Sequence, residues 1–568
     1  MGGGYALYTG TSMSAPMVAG AAALYRASHG KTRFDKMRQL LEASSVDLGV
    51  AGQDYYNGFG ELDVYALVCE PKGTIKYDMM TDSLKDQSQI FVKGHTLQAM
   101  PEPEIDYLSF EGWYFDPNGT DICPLYKNVF KQNITLYAKW GSEDEGKSFT
   151  YIKKSDGTAK IQKYTGKRRY VTVPSEIGGL TVTEIGESAF ADNDRIRSVS
   201  LPSSIKQIMA KAFANCTFLE KIEIPDATTG IGEEAFRGCV RLINVNITNN
   251  SKLAKVGAKA FAYSSISTFN IPKGLRSIGS KAFWGNASLK KLTVAAENPT
   301  YKLVNSALYK IDGKTLLYYP AGLKGKYTVD KATTIITSNA FAYSRCSEIV
   351  LNDGIVTLGK ECFTHSRIHR IAIPKSVTTI GSSLCMYCSN LSEMVFPKNG
   401  KFNTLPEKMF SHNYSLKKIV IPKYIKNIQT EAFSHANVSS VSFENESRLD
   451  EIGDSAFWGT MIKNITIPDS VESIGSQAFF ECSGLESVKW GKKSRCLVID
   501  SYAFAYTYKL KNFTIPNKVY ALGSNVLYNS GITQIVIGAG ISDVGSGVFA
   551  SCSKLSKISV DPKNQSYA

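Results

Sequence analysis

The chain has 568 residues, 43% of them hydrophobic and 20% charged, with a formal net charge of +14. That length exceeds one hydrophobic core and requires several domains or an array, while the composition excludes a wholly disordered chain. The positive charge favours acidic surfaces, but the lysines are spread along the chain and no nucleic-acid-binding module accompanies them, so no nucleic-acid partner is expected.

The first predicted element opens on Gly10-Thr11-Ser12-Met13-Ser14-Ala15-Pro16-Met17-Val18-Ala19-Gly20 and continues as an apolar helix through Ala21-Ala22-Ala23-Leu24-Tyr25. A second, amphipathic helix follows over Phe34–Leu41, with Met37, Leu40 and Leu41 at helical spacing. The apolar stretch Met17–Tyr25 is too short to span a bilayer, so no transmembrane segment is expected. These strings, with Tyr56-Asn57-Gly58-Phe59-Gly60-Glu61-Leu62-Asp63-Val64-Tyr65-Ala66, resemble in order the serine motif, the next helix and the close of a subtilisin-like (S8) protease domain.

The resemblance implies that Ser12 is the nucleophile, placed at a helix N-terminus where its own N–H serves as one oxyanion donor. That family orders its triad Asp, His, Ser. The Asp, the His and the Asn that supplies a second oxyanion donor would therefore lie before Met1. No His-Gly-Thr-His or Asp-[ST]-Gly string occurs, and His29, His95, His365, His369, His412 and His435 stand in unrelated contexts. The chain as written is expected to be inactive, a fragment of an exported endopeptidase acting on polypeptides. No cofactor is implied.

Residues 71–140 change character, with more aromatics and alternating strands. Phe110-Glu111-Gly112-Trp113-Tyr114-Phe115-Asp116 and Ile134-Thr135-Leu136-Tyr137-Ala138-Lys139-Trp140 resemble the signature of Listeria–Bacteroides wall repeats, small β-grasp-like domains of surface proteins. Trp113 and Trp140 read as the core of so small a domain, in preference to a sugar-stacking role. Residues 141–147 form a polar linker after the segment 1–70 and this module.

From residue 148 to 568 one unit recurs, reading I-G-x-x-A-F-x-x-C-x-x-L-x-x-I-x-I-P at a spacing of about 22–25 residues. Its anchors are Phe190, Phe213, Phe236, Phe261, Phe283, Phe341, Phe363, Phe410, Phe433, Phe457, Phe479, Phe504 and Phe549, with Cys385 and Leu527 as substitutes. The unit resembles the BspA-like class of leucine-rich repeats. The implied fold is multidomain: a partial α/β subtilisin-like remnant, a β-grasp-like module, then a leucine-rich-repeat solenoid with one parallel strand per turn.

Within a turn, Lys221-Ile222-Glu223-Ile224-Pro225 should point Ile222 and Ile224 inward and Glu223 outward. The rhythm breaks between Phe283 and Phe341, where residues 298–320 resemble a hairpin-like variant unit. Val560–Ala568 echo the start of another such unit, and no capping turn follows, so this end is also expected to be cut.

The cysteines, odd in number at 11, form no disulfide framework. Cys385-Met386-Tyr387-Cys388 has metal or redox spacing, but Cys388 occupies the repeat position also held by Cys216, Cys239, Cys482 and Cys552. It is read as a coincidence of register.

Outward strand positions include a run of small apolar residues, Val350, Ala372, Val395 and Val420, a candidate face for a protein or glycan ligand. β-Propensity alone also accounts for them. With Ser12 and its flanks intact, the leading function is the surface-held protease fragment; the alternative is an extracellular or cell-surface adhesion protein acting through its repeats.

Overall fold

The computed structural model describes residues 11–46, 61–62, 64–81, 84–95, 97, 100–103, 105, 108–124, 129–142 and 148–567. The chain divides into two compact units, Met1–Lys147 with Lys167–Arg169, and Ser148–Gly166 with Tyr170–Ala568.

In the first unit, helix α1 (Thr11–His29) ends where Gly30 takes a φ of 81° and its N–H reaches the Arg26 carbonyl at 2.9 Å. Helix α2 (Phe34–Ala43) turns Met37 and Leu40 inward, and the short α3 (Val64–Val68) buries Leu67. Ala21, Leu40 and Leu67 form a small core that also takes in Tyr25 and Ile90. Ile90 belongs to the following sheet, so the helices pack on the middle segment within one unit. Lys72 closes α3, its ammonium donating to the carbonyls of Ala66 at 2.7 Å and Leu67 at 2.6 Å. Among the described residues of this segment the strands are Ser45–Val46 and Glu61–Leu62, which pair antiparallel, and no parallel sheet appears among them.

The middle segment is a five-stranded mixed sheet in the order Gln87–Val92, Lys72–Asp78, Ile134–Ser142, Leu108–Tyr114, Ile122–Cys123. The first and last long strands pair in parallel, Ile75 opposite Ile134. Trp113 is fully buried and its indole N–H donates to the Pro101 carbonyl at 2.6 Å; Trp140 is half-buried and donates to Met79 at 2.8 Å. No helix occurs among the described residues from 72 to 142.

The second unit is the expected solenoid. Lys221–Glu223 alternates exposed, buried, exposed, with Ile222 and Ile224 nearly inaccessible. Parallel pairing sets Ile222 opposite Val199 on one side and Val245 on the other. Pro225 ends the strand because it has no N–H to donate, and its carbonyl accepts from Thr228 in the turn that follows.

Each turn then adds a second short strand. Gln207–Ile208, Gly230–Ile231, Lys255–Val256 and Ser277–Ile278 make a ladder of their own. The glycine after it is forced by close approach, since a Cβ on Gly232 would run into the backbone of Met209 and Ala210 one turn back.

The Phe corner forms a third line of backbone bonds, Phe213 N–H to Ala235 O at 2.8 Å and Asn215 N–H to Arg237 O at 2.7 Å. Its rings stack turn upon turn: Phe213 and Phe236 lie 5.1 Å apart at 2°, Phe433 and Phe457 5.1 Å apart at 9°. Neighbours thus bury what one turn alone cannot. Cys385 interrupts the column between Phe363 and Phe410, fully buried in the anchor position.

The variant unit is a hairpin. Tyr301–Val304 and Ala307–Lys310 pair antiparallel around Asn305 and Ser306, whose φ values of 48° and 67° suit a primed two-residue turn. Tyr318 and Tyr319 carry the ring column across it, 5.2 Å from Phe283 and 5.4 Å from Phe341 respectively.

Candidate functional site

Ser12 falls in the first turn of α1, at the helix N-terminus, but its side chain lies outside the described residues, as do residues 1–10 and 47–60. His29 ends the same helix, seventeen residues on, or about 25 Å along the axis at 1.5 Å per residue. It stacks on Tyr25 at 4.3 Å and its Nδ1 lies 2.8 Å from the Ser28 hydroxyl. That distance keeps it from acting on Ser12.

The outward row of the long-strand wall holds Val350, Ala372, Val395 and Val420. Ala372 pairs directly with Val395, and Val350 with Thr328 on the preceding strand. Val420 stands on Lys418–Ile421, which pairs with Ser440–Phe443 in another ladder. It alone is widely exposed, at 55%, whereas the other three are half-buried. Two residues upstream on the same face runs a charged row of alternating sign. Lys326 meets Glu348 at 3.2 Å and Arg370 meets Glu393 at 3.1 Å. The apolar row is therefore bordered by a paired, solvated one.

A longer feature escaped the sequence reading, which treated the histidines as unrelated. Two residues after successive anchors come Tyr343, His365, Tyr387, His412 and His435, all at φ between 55° and 60°. The left-handed backbone turns each side chain outward over the previous one. Tyr343 and His365 stack at 4.5 Å, His365 and Tyr387 at 4.7 Å, Tyr387 and His412 at 4.5 Å. The stripe continues through His435, Trp458, Phe480, Tyr506 and Tyr528. Burial holds the pKa of His365 down, with Glu361 opposing. For His412 burial leads and His435 adds to it, against Glu431. The signal that would have found the stripe is the recurrence of His or Tyr at the second position after the anchor.

The repeat cysteines are structural. The thiols of Cys216, Cys239 and Cys482 donate to the carbonyls of Phe190, Phe213 and Phe457 at 3.0, 3.0 and 3.1 Å. Cys388 does the same to Phe363 at 2.9 Å. Burial pushes Cys216 and Cys482 up to about 12, far from the reactive thiolate. Among the described residues no three His, Cys, Asp or Glu side chains gather to hold a metal.

This geometry accords with the family comparison. The profile described as BspA type Leucine rich repeat region matches in six copies over residues 171–305, 324–439, 403–497 and 493–567, more than half of the chain. The chain belongs to the BspA-type leucine-rich repeat family. A second profile, the Subtilase family, matches residues 1–60 of this BspA-type chain. Among curated proteins, none matches it.

Solved structures similar to it include a leucine-rich repeat protein from Bacteroides ovatus, 20% identical, covering 72% of this chain and 92% of that one at a TM-score of 0.39. The pneumococcal vaccine antigen PcpA is 20% identical over 73% of this chain and 96% of its own, with a TM-score of 0.40. A leucine rich cell surface protein from Faecalibacterium prausnitzii is 22% identical over 61% and 93%, with a TM-score of 0.37. No described helix is long and apolar enough to cross a membrane.

Proposed function

We propose that this BspA-type chain is an interaction protein of the cell exterior whose repeat wall receives a protein or glycan ligand. The observation that carries the reading is the long-strand wall. Pairing in register lines up outward side chains from successive turns, so one partner can meet several at once. Val350, Ala372 and Val395, with Val420 beyond them, form its apolar centre. Replacing Val395 and Val420 with lysine tests this, because both point outward and a charge there leaves the core intact. Retention on a panel of purified extracellular-matrix proteins and wall glycans is expected to fall at least tenfold. Undiminished retention would remove the wall as the binding face.

The Subtilase match over residues 1–60 supports a second reading for the start of the chain. Here Ser12 is the nucleophile of a subtilisin-like domain and its N–H an oxyanion donor. The middle segment then serves as a wall repeat that holds the enzyme at a surface. The family's His and Asp motifs have no counterpart in the sequence, so the serine has no base to activate it. A fluorophosphonate probe should therefore leave this chain unlabelled; adduct formation at Ser12 would show that some other group activates it.

A further inference from the structure

The short-strand ladder stops at Ser277–Ile278 and resumes with Thr315–Tyr318 against Ile335–Ile336. The hairpin fills the gap incompletely and leaves a cleft of about 710 Å³. That is within the usual range for small-molecule sites, which combine an apolar body with a few placed polar groups. Its wall carries Ile278 and Leu317, both partly exposed, over the buried Leu308. Set in that wall is the ring of Tyr318, whose hydroxyl is turned into the protein beside the Ala321 backbone amide.

Charge around the cleft is lopsided. Lys281 is already satisfied, paired with Glu361 at 2.6 Å and set over the Trp284 ring at 4.2 Å. Asp312 keeps its charge, accepting from the amides of Lys314 at 2.8 Å and Thr315 at 3.3 Å with the Lys310 and Lys302 ammoniums also favouring its ionised form, so it offsets one of the cations there. Arg276 and Lys310, both exposed, line the cleft without a carboxylate within ion-pair distance. Arg276 spends one N–H on the Lys273 carbonyl at 2.6 Å, and a guanidinium has five.

We propose that this cleft binds an amphipathic organic anion, a ring-built apolar body bearing one carboxylate or sulfonate. The body covers Ile278, Leu317 and the Tyr318 ring, and Arg276 and Lys310 take the charge. The site is independent of the long-strand wall, so failure of either reading leaves the other standing.

Two fluorescent probes of similar shape separate the contributions: 1-anilinonaphthalene-8-sulfonate and its uncharged relative N-phenyl-1-naphthylamine. With the full chain, the sulfonate is expected to bind one-to-one and the neutral probe at least tenfold more weakly. Arg276→Glu with Lys310→Glu should weaken the sulfonate at least tenfold and leave the neutral probe unchanged. The milder pair Arg276→Gln with Lys310→Gln, checked by an unaltered melting temperature, guards against a folding defect. Non-saturable binding, equal affinity for both probes, or indifference to the charge variants would each overturn the proposal.

Discussion

The anchor phenylalanine is where each turn concentrates its energy. Phe433 is fully buried between Phe410 at 5.0 Å and Phe457 at 5.1 Å, so deleting its ring opens a void lined by rigid neighbours on both sides. Phe433→Ala should destabilise the array by about 3–5 kcal/mol, read from denaturant unfolding. Phe433→Leu should cost clearly less, because Leu527 already fills an anchor position fully buried. Equal losses for the two would mean that ring stacking, rather than filled volume, sets the energy. The cysteine three residues on was legible as a repeat position, but its reason was not. Its thiol bonds to the anchor carbonyl of the previous turn, a partner 25 or 26 residues away.

Among the elements of the array, the aromatic and histidine stripe has a consequence for pH. An unperturbed histidine protonates near pH 6.5, and burial holds His365 and His412 below that in the folded chain. Between the two values the unfolded chain binds protons that the folded one refuses. Their contribution to stability is therefore complete above about pH 6.5 and is lost as pH falls through that value towards the folded pKa values. The melting temperature should drop between pH 7.5 and pH 5, and drop less in His365→Gln with His412→Gln. An identical drop in the variant would assign the acid sensitivity to carboxylates. The strand wall, by contrast, was readable from alternation alone: Ile222 and Ile224 point inward and Glu223 outward, as spacing requires. The second ladder was not readable, because its two-residue strands are too short to show a period.

Over the whole molecule, the buried apolar side chains of the solenoid fall into two clusters that meet at the hairpin, one reaching Leu308 and the other beginning at Ala307. Nearest-neighbour stacking makes stability additive along such an array, so the hairpin is its natural point of division. Calorimetry of the full chain is expected to show two transitions from the solenoid. Phe236→Ala should lower one and Phe433→Ala the other; a single transition moved alike by both would mean that the hairpin couples the halves. The sequence by itself determined the repeat, its anchors, the inward face of each strand and the place of the variant unit, since these are written within one turn and recur. Only the tertiary structure decided the aromatic stripe, the second ladder, the break between Val395 and Val420, and the cleft. Each of these depends on how far one turn advances and rotates over the next, a geometry set by packing between residues 20 or more positions apart.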